Sequence, residues 1–365
     1  MSTRNMRRKA CLYAENRSVV RTALCWGVVA LFAISGVMDL ARSQPPTTTR
    51  VSVGSAGQES NNYSNVINIS GDGRYIVFHS VATNLVAADT NDTDDIFLHD
   101  FLTGKTIRVS VNSEGVQGND RSLRSSLSRD GRFVLFDSQA TNLVANDTNS
   151  ASDIFIHEVL TGETTRVSVN SQGMEGNATS WNSSLSGDGR FVRFTSDASN
   201  LVQHDLNGVT DVFVHDRVTG ETVRVSVRSD GSEADGFSSG AGLSSDGRFV
   251  SFQSDATNLD DADANGVRDA FVHDRLTGET RRVSVSSTGE EGNLSSQRVR
   301  ISGDGRFIVF DSESTNLVEG DSNGVMDVFI HSRLTGETRR VSVSSEGTEA
   351  NGMSRNAVAS YDGRF

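Results

Sequence analysis

The chain has 365 residues, 35% hydrophobic and 22% charged, an ordinary composition for a water-soluble globular protein. Its formal charge of −13 argues against nucleic-acid or anionic-membrane binding, because phosphate contact needs a basic face. Two cysteines are too few for a disulfide framework.

In chain order, the first segment stands apart. Arg4, Arg7, Arg8, Lys9, Arg17 and Arg21 precede an apolar stretch from Ala23 to Val37, and Ala41-Arg42-Ser43 offers a small-x-small cleavage site. That order predicts a secretory signal over residues 1–43, with export to the periplasm or the extracellular space. The alternative is an uncleaved anchor helix, but the apolar core of about 15 residues falls short of the roughly 20 a span needs, so no membrane span is expected in the mature chain. Cys11 and Cys25 both lie in this segment, and Cys25 sits in mid-core rather than at a cleavage site, so a lipid anchor is not indicated. The segment carries seven basic and two acidic residues, so its removal takes the formal charge from −13 to −18. Residues 44–49, Gln-Pro-Pro-Thr-Thr-Thr, hold both prolines and read as a short stiff linker.

From Arg50 to Phe365 everything is repeat. Asp-Gly-Arg recurs at Asp72, Asp130, Asp188, Asp246, Asp304 and Asp362, always 58 residues apart, and Arg-Val-Ser-Val keeps the same spacing from Arg50 to Arg340. A fixed period of this length marks a repeat architecture. Four strands are expected per repeat. The first ends at an apolar-Ser pair such as Leu243-Ser244, and Asp-Gly then makes a tight turn. The second runs from Arg306 to Ser312 in the clearest copy, the third from Asp327 to His331, and Thr335-Gly336 turns into a fourth from Thr338 to Ser344. The strands are near-continuously apolar, which predicts burial of both faces.

Fifteen of the eighteen phenylalanines occupy three positions of the repeat, represented by Phe249, Phe252 and Phe271. One four-stranded sheet cannot bury aromatics on both faces, whereas a ring of stacked sheets can, so the fold class expected is all-β, a β-propeller. Small residues such as Ser239-Gly240-Ala241 suit a first strand crowded against the axis. An open β-solenoid is the alternative; its coils are usually shorter, and it lacks paired Asp-Gly and Thr-Gly turns.

The pattern apolar-Ser-x-Asp-Gly-Arg-Phe-x-x-Phe-x-Ser, then Asp-x-Phe-x-His-Asp and Thr-Gly-Glu-Thr, resembles the WD40-like (PD40) repeat of TolB-type propellers over all of residues 50–365. It departs from that family where a proline usually precedes Asp-Gly: here the position is Gly71, Arg129, Gly187, Ser245, Gly303 and Tyr361. The period is also longer than usual. The resemblance implies a propeller, commonly six-bladed, exported and acting by contact rather than catalysis. Strand counting gives five complete blades and a sixth that is split and incomplete, with a lone fourth strand at Arg50–Val53 and a first strand plus part of a second at Met353–Phe365. The chain reads as a C-terminally truncated piece of a longer product.

Two loops share one face of the ring and make it acidic, so a basic region of a protein partner could be steered there. One histidine per blade (His99, His157, His215, His273, His331) lies on the third strand; five copies on an outer strand diverge and cannot converge on a substrate, so a structural hydrogen bond is expected for each. The out-of-phase residues Tyr63, His79, Trp181, His204 and Phe237 make no nucleophile–base set. The function expected is therefore an exported, non-catalytic propeller that works as a protein-binding or scaffold module. The alternative is the propeller domain of a larger, serine-peptidase-like hydrolase.

Each blade carries an Asp-x-Asn-x-x-x-Asp loop: Asp89, Asn91, Asp95; Asp147, Asn149, Asp153; Asp205, Asn207, Asp211; Asp263, Asn265, Asp269; and Asp321, Asn323, Asp327. Oxygen ligands two apart in a tight loop can converge on calcium (Ca2+), with carbonyls and water completing the shell. The competing reading is an Asn-Gly turn with Asx caps. Gly208, Gly266 and Gly324 follow the asparagine in three copies, while Asp92 and Ser150 replace the glycine in two, and the three oxygen-bearing positions persist in all five. That persistence points toward an ion.

Overall fold

The computed structural model describes residues 48–365. The expected signal over 1–43 lies outside the described residues, as does the linker up to Thr47.

From Arg50 onward the chain is one compact unit of four-stranded antiparallel meanders. Blade 1 holds β1 (Ser64–Ile69), β2 (Tyr75–Ser80), β3 (Asp95–Asp100) and β4 (Lys105–Arg108). Blade 2 holds β5 (Ser122–Leu127), β6 (Phe133–Ser138), β7 (Asp153–Glu158) and β8 (Thr164–Arg166). Blade 3 holds β9 (Ser180–Leu185), β10 (Phe191–Ser196), β11 (Asp211–Asp216) and β12 (Glu221–Arg224). Blade 4 holds β13 (Ser238–Leu243), β14 (Phe249–Ser254), β15 (Asp269–Asp274) and β16 (Glu279–Arg282). Blade 5 holds β17 (Ser296–Ile301), β18 (Phe307–Ser312), β19 (Asp327–Ser332) and β20 (Thr338–Arg340). First strands meet first strands from one sheet to the next, β1 with β5, β5 with β9, β9 with β13 and β13 with β17. This is the blade order of a β-propeller.

The core lies between the blades. Cross-strand phenylalanines on the second and third strands stack with centroids 5.6–6.0 Å apart in every blade, and all ten rings are fully buried. The other face of each sheet is mostly aliphatic, joined in blades 2, 3 and 4 by the phenylalanine after Asp-Gly-Arg (Phe133, Phe191, Phe249). Val77, Ile96 and Leu98 of blade 1 pack into one cluster with Phe136 and Phe155 of blade 2, and the same pairing joins each later blade to its successor. Burying one phenylalanine side chain contributes about 1.5–3 kcal/mol, so these clusters, rather than the short ladders, hold the sheets to one another.

The Ser-x-Asp-Gly-Arg turn is closed by its own residues. Ser186 Oγ donates to Asp188 Oδ1 at 2.6 Å and accepts the Phe191 N–H at 2.9 Å, while the Arg190 N–H reaches Asp188 Oδ1 at 3.0 Å. Gly189 has φ +75°, and a Cβ there would lie 2.3 Å from the Phe133 ring of the preceding blade. The residue before the aspartate, where the repeat that the sequence resembles keeps proline, uses its N–H instead. Gly71 donates to Arg129 O (2.8 Å), Arg129 to Gly187 O (3.1 Å), Gly187 to Ser245 O (2.9 Å) and Ser245 to Gly303 O (2.8 Å). Proline has no such proton. This backbone chain ties successive blades together at the Asp-Gly end of the axis.

Three expectations need correction. The fourth strand stops at Arg340 rather than Ser344, because the following serine folds back: Ser342 Oγ donates to Asp327 Oδ1 at 2.5 Å and accepts the Val328 N–H. Arg50–Val53 forms no strand; Val53 makes a single bridge to Glu59. Met353–Phe365 forms no strand either, although Ser354 N–H donates to Met326 O as Ser296 N–H does to Arg268 O one repeat earlier. Both segments lack a partner strand among the described residues, and without a ladder the backbone is not held as sheet.

Candidate functional site

The repeated histidines were expected to make structural hydrogen bonds, and the packing shows what each of them holds. The third-strand histidines place Nδ1 2.8–2.9 Å from the Thr Oγ1 opposite on the fourth strand, as in His157–Thr164 and His273–Thr280. Each threonine hydroxyl donates at 2.5 Å to a valine carbonyl of the crossover entering that blade, Val111 for Thr164 and Val227 for Thr280. Its one proton is thus committed, and it accepts from Nδ1–H, which fixes the tautomer. Burial pushes His157, His273 and His331 down to about 4, so they are neutral links in an inter-blade relay.

The Asp-Gly-Arg arginines are similarly engaged. Arg74, Arg190 and Arg248 form bidentate pairs with Asp100, Asp216 and Asp274 at 2.6–2.9 Å. The guanidinium holds each of these carboxyls well below the ordinary carboxylate range. In blade 5 the partner position is Ser332, and Arg306 turns to Asp304 instead.

In four of the five Asp-x-Asn-x-x-x-Asp loops, both aspartates approach a side chain that the spacing argument did not include, the arginine of Arg-Val-Ser-Val. In blade 3, Arg224 Nη1 lies 3.2 Å from Asp205, 2.9 Å from Asp211 and 2.9 Å from Glu233 of the following crossover. In blade 2, Arg166 Nη1 meets Asp147 (3.5 Å), Asp153 (3.3 Å) and Glu175 (2.7 Å). In blade 5, Arg340 Nη1 meets Asp321 (3.2 Å), Asp327 (3.4 Å) and Glu349 (2.9 Å). Blade 1 keeps Arg108 between Asp89 and Asp95, with Gln117 in the glutamate's place and donating to both. Blade 4 departs, since Arg282 pairs with Asp269, Glu291 and Asp260 rather than with Asp263.

The asparagines are engaged at both ends of the carboxamide. The carboxamide oxygens of Asn91, Asn149, Asn207, Asn265 and Asn323 accept the N–H two residues on, an Asx turn. Their Nδ2 donates to a crossover carbonyl and, in Asn149, Asn207 and Asn323, also at 2.9 Å to the second aspartate. The carboxylates still have the spacing of a metal cluster: ligand atoms of Asp147, Asp153 and Glu175, and of Asp263, Asp269 and Glu291, lie within 4.8 Å of one another. Burial raises Asp95 and Asp269 to about 6. Buried Asp147 Oδ1 and Asp263 Oδ2 have no hydrogen-bond partner.

Where the repeat breaks, polar groups gather differently. A cleft of about 330 Å³ opens at the loop end between blades 2 and 3, lined by Arg121, Arg124, Asp137, Gln139 and Trp181 among others. Asp137 is buried, accepting the Asn182 N–H (3.1 Å) and Ser183 Oγ–H (3.0 Å), and burial pushes it up to about 7. Of the other out-of-phase residues, Tyr63 donates to Asp94 and Phe237 lies under Arg268. Among the described residues no helix is long and apolar enough to cross a membrane.

No family model matches this chain, and no curated protein sequence does. Solved structures similar to it include the putative TolB from Agrobacterium tumefaciens, 15% identical, covering 76% of this chain and 80% of that one with a TM-score of 0.44. TolB from Acinetobacter baumannii is 19% identical; the match covers 77% of this chain but spans only 57% of that one, with a TM-score of 0.39. The β-propeller domain of the Trilobed protease from Pyrococcus furiosus is 12% identical, with 77% and 72% covered and a TM-score of 0.45.

Proposed function

We propose that this chain is an exported propeller that works by contact, presenting its acidic loop face to a protein partner and catalysing nothing itself. The observation that carries this reading is the division of polar groups. The repeated histidines, arginines and aspartates are engaged within the blade frame, while Arg121, Arg124, Asp137 and Trp181, which the repeat does not keep, line a cleft at the loop end that holds no nucleophile–base pair. The rival reading, the propeller of a larger hydrolase, makes a separate prediction: the native gene product is labelled by a fluorophosphonate probe, which traps an activated serine. Absence of labelling together with saturable binding of a basic partner supports contact; labelling supports the rival. Export is tested by N-terminal sequencing of secreted material, expected to begin near Gln44. Intact Met1 in the cytosol contradicts it.

A calcium role for the Asp/Asn loops is the second reading, favoured by the carboxylate triads and their orphan oxygens. Against it, a guanidinium already supplies the positive charge in each loop. We take arginine as the resident cation, with calcium able to enter only by displacing it. A thermal melt in calcium against one in chelator separates the two, and equal melting temperatures favour arginine.

A further inference from the structure

The 58-residue period provides its own internal comparison. Positions that build the frame keep one residue type from blade to blade, so a cluster of positions that do not keep it reflects another constraint. The cleft between blades 2 and 3 is such a cluster. Trp181 stands where other blades have Asn65, Leu123, Ser239 and Gln297, and Asp137 stands where they have His79, Thr195 and Gln253, with a second aspartate, Asp311, in blade 5 alone.

The chemistry of the walls is specific. Arg121 and Arg124 bring two guanidiniums to the mouth, and the Arg124 side chain is 63% exposed. Its ion pair with Asp137 Oδ2 is 3.8 Å long, beyond hydrogen-bond reach, so its planar fork is available to a ligand. Arg121 uses Nε on Gln139 Oε1 (3.1 Å), which orients the rest of that fork. The half-buried indole of Trp181 adds a flat apolar wall. The volume equals that of roughly ten water molecules at about 30 Å³ each, enough for one ring with a substituent. On a chain with a formal charge of −13, two arginines facing one buried carboxyl make a local site for an anion.

We propose that this cleft binds a small organic carboxylate carried on a ring, the carboxylate held by Arg121 and Arg124 and the ring laid against Trp181. The proposal goes beyond the reading of the acidic loop face as a surface for a basic protein: the cleft is a separate pocket of opposite charge, lined by Arg121 and Arg124. A planar carboxylate matches the guanidinium fork in bidentate fashion. A doubly charged phosphate would meet stronger repulsion from Asp137. Asp137 also gives the binding a pH signature. The charged groups facing it are Arg124 from β5 and Arg193 from β10, with Asn182 and Ser183 of β9 as its hydrogen-bond donors. As pH rises through its folded value near 7, Asp137 becomes an anion beside the ligand, and affinity falls.

The test is a fluorescence titration of the purified protein with benzoate and with glucuronate, against the neutral partners benzamide and glucose. Trp181 is the reporter; the one other tryptophan, Trp26, lies outside the described residues, and Trp181→Phe identifies the signal. We expect saturable quenching by at least one carboxylate in the millimolar range, and at least a tenfold weaker response in Arg124→Gln. The arm that saturates identifies the ring, aromatic or sugar. Affinity should fall as pH goes from 6 to 8, and Asp137→Asn should remove that fall while leaving binding in place. Absence of saturation with both carboxylates, equal binding of the neutral partners, or an unchanged Arg124→Gln response overturns the proposal. These results are independent of fluorophosphonate labelling, so failure here is distinguishable from failure of the contact reading.

Discussion

Replacing Arg224 by glutamine would remove the guanidinium shared by three carboxylates at the blade 3 loop and leave them facing one another. Arg224 Nη1 sits 2.9–3.2 Å from Asp205, Asp211 and Glu233. The first two side chains are 4% and 1% exposed, so little water is there to take the guanidinium's place. Removing one partner from a buried ion pair costs about 3–5 kcal/mol, because the remaining charge stays buried. Glu233 is 26% exposed and adds a smaller, screened share. At roughly 2–4 °C per kcal/mol for a domain of this size, the melting temperature should fall on the order of 10 °C. The assay is a thermal melt of wild type and Arg224→Gln, each in calcium and in chelator. We expect wild type to melt at the same temperature in both. Arg224→Gln should be the variant that gains from calcium, by about 1.4 kcal/mol at ten times the dissociation constant. A wild type that loses many degrees in chelator, with Arg224→Gln melting no lower than wild type, would refute the reasoning and make calcium the resident cation.

Three further outcomes follow from the frame. His157, His273 and His331 have folded values near 4 against about 6.5 unfolded; their contribution is complete above 6.5 and lost as pH falls toward 4, at up to about 1.4 kcal/mol per pH unit for each. His273→Gln should therefore lose less stability than wild type between pH 7 and 4.5; equal losses in urea melts at the two pH values would contradict this. Asp95 and Asp269, raised by burial, act in the opposite sense over the same window, stabilising the fold as pH drops through 6. Gly189→Ala should cost more than Gly162→Ala, since both have φ near +76° but only Gly189 faces an aromatic ring. The φ strain common to both is about 1–2 kcal/mol, and equal melting temperatures for the two variants would remove Phe133 from the argument.

Much of this architecture is legible in the sequence because its signals are local. Asp-Gly marks a turn, paired phenylalanines mark a sheet buried on both faces, and the 58-residue spacing marks the blade. What was not legible depends on contacts between segments that only folding brings together. Asp211 and Arg224 are 13 residues apart, yet they meet because the third and fourth strands are neighbours in the sheet, and Glu233 arrives from the crossover. Without that adjacency, Asp-x-Asn-x-x-x-Asp shows its carboxylates but not the guanidinium that lies between them. The early end of the fourth strand has the same origin, a serine turning back to an aspartate 15 residues earlier. The first-strand bulges escaped too, since Arg124, Asn182 and Arg298 adopt φ of 50–54° without a glycine to announce it. Trp181 was visible as a break in the repeat, but its company in the cleft was not.

The division between frame and cleft is tested most directly by the melting temperatures of two variant groups measured side by side. The frame group is Arg224→Gln and Gly189→Ala; the cleft group is Arg121→Gln and Arg124→Gln. We expect the frame group to lose several degrees and the cleft group to stay within about 0.5 kcal/mol of wild type, the range of surface substitutions that hold nothing together. A cleft group that melts as low as the frame group would show that Arg121 and Arg124 are structural, and the cleft would then have no residues set aside for a ligand.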